Sequence, residues 1–171
     1  MRIFLLLLCF ALSLAANEPT KSITNQVIQD LKYTGSLETV NVNVEGLLEV
    51  IGLLNAKQTR FFELDIKGDT YLDNCIVSGP AIVDGALQAN QTVFEDELDV
   101  SGSLIIFESS VANEIYVSPA PDRGKQVVKL LGGSVVKGNI IFESKQGEVI
   151  LPKESKLLGV VVGGEIKPFA H

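Results

Sequence analysis

The stretch LDVSGSL, residues 98–104, restates LDIKGDT, residues 64–70, and AIVDGAL, residues 81–87, lies between them. Each reads as a short alternating segment, a glycine, and the start of another alternating segment. The glycines in this position are Gly35, Gly52, Gly68, Gly85 and Gly102, at spacings of 17, 16, 17 and 17 residues, and Pro119 stands a further 17 on. Four residues before these marks stand Leu31, Leu48, Leu64, Ala81, Leu98 and Ile115, and two before stand Tyr33, Val50, Ile66, Val83, Val100 and Val117. All are apolar. A fixed short period is the signature of stacked repeats rather than of independent elements.

The alternation continues past the mark. Two residues after it come Leu37, Leu54, Thr70, Leu87 and Leu104, and four after it Thr39, Ala56, Leu72, Ala89 and Ile106. Polar pairs then interrupt, as Lys57-Gln58, Asp73-Asn74 and Asn90-Gln91, before alternation resumes with Val42, Thr59, Cys75, Thr92 and Ser109 seven after the mark. Val44, Phe61, Val77, Phe94 and Val111 follow at nine, and a second polar turn closes the period at 78–80, 95–97 and 112–114. Each period therefore holds three short segments and three turns, and none has the i, i+3, i+4 spacing of an amphipathic helix. One such coil cannot bury its apolar side alone. Stacked coils can, with each strand pairing in parallel about 4.8 Å from its equivalents. The predicted fold is all-β: a single-stranded parallel β-solenoid of triangular coils about 17 residues long. Glycine at the mark signals a corner that needs φ > 0 or a close backbone approach.

The ends read differently. Residues 1–16, MRIFLLLLCFALSLAA, carry one positive charge, an apolar run and small residues at Ser13 and Ala15, the pattern of a secretory signal peptide. Residues 17–30 read as an N-terminal cap with a short helix, and 31–118 as the regular coils. Pro119 and the following APDRGKQ mark an excursion or irregular coil over 119–134, and 135–171 as longer C-terminal coils and a tail, with Gly138 restoring the mark. The destination is secreted or periplasmic. Cleavage would remove Cys9, leaving Cys75 without a partner for an intramolecular disulfide.

The formal charge of −7 argues against nucleic acid and anionic membrane surfaces as partners, because both need clustered Lys and Arg. After the leader no apolar run reaches the roughly 18 residues of a membrane span. The single histidine, His171, is the final residue. Cys75 shares its column with Val42, Thr59, Thr92 and Ser109 and reads as a packed thiol, not a nucleophile. Among the carboxylates, Glu97 and Glu114 fall on adjacent coils, Glu63 two coils from Glu97, and Pro80 breaks the row between them. A β-helical polysaccharide lyase or hydrolase would want converging acids with a basic partner. The pattern reads instead as solvated turns, so no catalytic residue, metal or cofactor is expected. For a glycan-binding face, Tyr71 and Tyr116 are the candidate sugar platforms, with Glu97 and Glu114 as polar contacts. The sequon Asn90-Gln91-Thr92 reads as structural.

Segments such as LDIKGDTYL, LDVSGSLII and VVKGNIIFES resemble the coils of bactofilin-type, polymer-forming β-helical proteins, over about residues 31–117 and again 135–166. The resemblance implies a β-helix that polymerises end to end without nucleotide. The chain departs from that family in its exported-type leader and in having fewer glycines per coil. The function expected from the sequence is that of an exported, non-enzymatic structural or interaction module that self-assembles as a homo-oligomer or binds another protein. A glycan-binding or adhesin-like surface is the alternative, and a polysaccharide lyase or hydrolase that uses the acids near Glu97 is the third reading.

Overall fold

The computed structural model describes residues 19–120 and 125–168; the leader at 1–16 and His171 lie outside these residues. The chain is an all-β solenoid. Its strands fall on three faces, and every pairing is parallel, between segments one coil apart in sequence. The first face is a nine-stranded sheet running from Thr20–Thr24 at one end to Gly164–Lys167 at the other, which closes eight turns. The other two faces are joined where Asn43–Ile51 and Arg60–Lys67 run unbroken around their shared edge. Among the described residues there is no helix, so none is long and apolar enough to cross a membrane.

The period read from the sequence is the pairing register. Leu64 pairs with Ala81, Ala81 with Leu98 and Leu98 with Ile115. The apolar positions of the repeat point inward and form continuous buried ladders, such as Leu37, Leu54, Leu87, Leu104 and Val128 on the first face. Each fully buried aliphatic side chain contributes about 1.5–3 kcal/mol relative to an exposed one. The exception on that ladder is Thr70, which is fully buried and whose hydroxyl finds no hydrogen-bond partner. Thr70→Val keeps the shape and removes the orphaned hydroxyl. It should stabilise the protein by about 1 kcal/mol, read as a higher urea midpoint.

The three corners use three devices. Between the third and first faces, a Cβ on Gly85 would lie 2.1 Å from the Gly68 carbonyl oxygen, and one on Gly102 would lie 2.4 Å from that of Gly85. Close approach of successive coils therefore demands glycine there. At Gly35, Gly52 and Gly68 a positive φ demands it as well. Between the first and second faces the turn residue is left-handed without being glycine, with φ from 47° at Gln91 to 54° at Asn41. Asn25, Asn41, Gln58, Asn74, Gln91 and Glu108 fill this slot, where a polar side chain tolerates αL better than a branched one would. Stacking couples them: Asn41 Nδ2 donates to Asn25 Oδ1 at 2.7 Å and Gln91 Nε2 to Glu108 Oε2 at 2.8 Å.

Immediately after this corner comes the column of Thr59, Cys75, Thr92, Ser109 and Ser134, all buried. Its small side chains have a further task. The Thr92 hydroxyl donates to the Asn90 carbonyl at 2.9 Å and accepts from the Cys75 N–H at 3.4 Å. The Ser109 hydroxyl donates to the Phe107 carbonyl at 2.7 Å and accepts from the Thr92 N–H at 2.9 Å. The left-handed turn aims backbone groups inward, and hydroxyls satisfy them without water.

Two expectations are corrected at the ends. Residues 19–30 form strands rather than a short helix: Thr20–Thr24 pairs with Ser36–Val40, and Val27–Ile28 with Asn43 and Val44. Within 119–134 the coil is longer than the regular ones, and Val127–Leu131 returns to the first face beside Leu104–Phe107. Gly138 does not restore the mark. It stacks on Asn113, at the corner between the second and third faces, and Gly159 stacks on Gly138 in turn. The extra residues that precede Val127 shift the register, so that Ile140 pairs with Ile115 at a separation of 25.

Candidate functional site

The outward positions are where function would lie, because the interior is closed. The row that holds Glu97 and Glu114 runs along the border of the third face, and register makes the two residues neighbours on adjacent strands. Glu97 is exposed and Glu114 half-buried. Leu64 N–H donates to the Pro80 carbonyl and Ala81 N–H to the Glu97 carbonyl, which places Pro80 between Glu63 and Glu97. Ile82 likewise separates Asp65 from Asp99. Neither row brings a base to its carboxylates. Among the described residues no group of three or more His, Cys, Asp or Glu side chains could hold a metal ion.

Tyr71 lies on the first face, 44% exposed, in a shallow trough of about 250 Å³ shared with Asn55, Lys57, Asp73, Gln88 and Asn90. Asn90 Nδ2 donates to Asp73 Oδ1 at 2.8 Å, which fixes two of these groups. The trough offers one ring for stacking and several amides for hydroxyl groups. Tyr116 is not part of it. It stands on the third face between Asp99 and Ile141 and is half-buried, so the two tyrosines do not form one platform.

Cys75 is free and 1% exposed. Burial pushes its thiol above the ordinary range, against the hydrogen bonds to Thr59 and Asp73 that lower it. A thiol so placed is held protonated and out of reach, the opposite of an activated nucleophile.

A cleft of about 690 Å³ lies beside the excursion and is lined in part by Pro119, Ala120, Gln126, Lys145 and Gln146. Gln126 is buried and spends its side chain on the fold, donating to the Ser101 and Ser118 carbonyls and accepting from Ser144 Oγ at 2.9 Å. At the rim, Lys125 and Lys167 both bridge Glu148 and Glu165, with Lys125 at 2.8 Å and Lys167 at 2.9 Å from Glu148. The hydrogen bonds from Lys125 and then Lys167 hold the Glu148 carboxyl below its usual range, and the bond to Glu148 raises Lys125. Exposed pairs of this kind contribute little to stability.

The feature that motif reading missed is the distribution of charge along the axis. Residues 19–120 carry 15 acidic and 5 basic side chains, whereas residues 125–168 carry 4 acidic and 7 basic. Summing charge separately over the two stretches would have found it.

No family profile matches the chain, and no curated protein or solved structure matches it either.

Proposed function

We propose that the protein is a non-enzymatic structural module, exported by its leader-like N-terminus, that works as a rigid rod and associates with further copies of itself. One observation carries this reading: at both ends of the described solenoid the outermost strand, Thr20–Thr24 at one end and Gly164–Lys167 at the other, has an edge that pairs with no other described strand. Unpaired parallel edges invite another strand, and proteins that must stay solitary blunt them. The interior supports the same reading, because its hydroxyls, thiol and aliphatic ladders are committed to holding coils together. Size-exclusion chromatography with light scattering tests it. The expected mass at high protein concentration is a multiple of the chain's own, and a strict monomer at every concentration overturns the reading.

A further inference from the structure

The two ends of the solenoid are not equivalent. One inward ladder of the first face runs the length of the described stack, from Lys21 and Leu37 at one end to Val149 and Ile166 at the other. Its members between Lys21 and Ile166 are all buried. At the first coil Lys21, exposed although it stands in an inward position, reaches from the first face to the Tyr33 ring, with its ammonium 5.7 Å from the ring centre. Ile23, the next inward residue of the same strand, is left only 6% exposed. At the last coil the ladder ends on Ile166, which is 51% exposed, and the inward Leu157 and Val161 of the other two faces are also uncovered in part. An inward-pointing charge is one way a sheet edge is blunted against further strands. The first coil has that device and the last coil lacks it.

The free edge of Gly164–Lys167 is also complementary to itself. Gly163 and Lys167 accept hydrogen bonds from the Gly147 and Leu151 N–H groups of the preceding coil. Ladder groups alternate in direction, so Gly164 and Ile166 turn their N–H and C=O to the free edge. An antiparallel copy of this strand, with Ile166 on a two-fold axis, lets the two Ile166 residues exchange both backbone hydrogen bonds. It also sets Glu165 opposite Lys167 of the other copy, twice, on the outward face where Lys167 already lies 2.9 Å from Glu148.

We infer that two copies of the chain join tail to tail through this strand, and that assembly stops at the dimer. This rests on the reading of the protein as self-associating, to which it adds the end used and the number of copies. Head-to-tail stacking in the solenoid's own register would set Ile166 against Lys21 and bury an ammonium that forms no ion pair among the described residues. Head-to-head stacking would bury two. The product is a closed pair, not the open polymer that the resemblance to bactofilin-type proteins implies.

Sedimentation velocity of the full chain and four variants, each checked for folding by thermal melts, tests this. The wild type should form monomer and dimer only. Ile166→Lys brings two like charges together at the axis and should weaken the dimer by about a hundredfold or more. E165K sets like charges opposite each other and should weaken it by at least about tenfold, whereas E165K/K167E restores opposite charges in the reverse sense and should recover it. K21L replaces the blunting charge with the residue type of its ladder and should add species larger than the dimer. A dimer indifferent to both Ile166→Lys and E165K overturns the tail-to-tail geometry while leaving self-association standing. Wild-type species beyond the dimer, or a K21L protein that stops at the dimer, overturn the blunted end. A monomer under all conditions overturns self-association as well.

Discussion

Gly68→Ala lowers the stability of the protein by about 3 kcal/mol or more, the sum of backbone strain and a clash that cannot relax. Gly68 sits at φ +148°, and a Cβ there would lie 1.9 Å from the Gly52 carbonyl oxygen and 2.8 Å from its carbonyl carbon. Those atoms are backbone of the coil beneath, held in turn by Gly35, so relief would require lifting one coil off another. Gly133→Ala is the matched control. Gly133 also has a positive φ, +80°, but the nearest atom to its added Cβ is 3.8 Å away. Its cost should be only the left-handed penalty, about 1–2 kcal/mol. Urea unfolding of the two variants distinguishes the two contributions; equal losses would mean that close coil approach is not what fixes the glycine.

Phe94→Ala costs about 3–5 kcal/mol, the usual range for truncating a buried aromatic. Phe94 is 1% exposed and stacks between Val77 and Val111 on the second face. Coils contact only their neighbours, so a cavity here weakens the joint between the two halves of the stack and should also blunt the cooperativity of unfolding. Phe62→Ala, whose ring is 55% exposed, should change stability by no more than about 0.5 kcal/mol in the same assay.

The contrast between Phe61, buried, and Phe62, exposed, was legible from period-two alternation, as was nearly everything between Leu31 and Val117. The spacing of 17 alone placed Glu97 beside Glu114 and Ile82 between Asp65 and Asp99. Past Pro119 the same rule misled. Gly138 lies in a motif with the right flanking residues, but the extra residues before Val127 moved it to another corner, and glycine serves close approach at both. The left-handed corner at Asn41, Gln58 and Asn74 was visible only as a polar interruption, because amide residues mark many kinds of turn. That the hydroxyls of the Thr59, Thr92 and Ser109 column also hydrogen-bond the backbone is not visible in the repeat, because it depends on the turn geometry. Of the candidate site residues, Tyr71 is 44% exposed, whereas Tyr116 is half-buried between Asp99 and Ile141 on the neighbouring strands, a difference that position in the repeat alone does not specify.

The central claim is the stacking of coils in parallel register, and methyl-resolved nuclear Overhauser spectroscopy addresses it directly. Contacts should link Leu87 with Leu104, Leu104 with Val128 and Ile115 with Ile140, pairs that are adjacent only if coils stack and the excursion shifts the register as described. Hα–Hα contacts between strands consecutive in sequence, the mark of antiparallel hairpins, would contradict it.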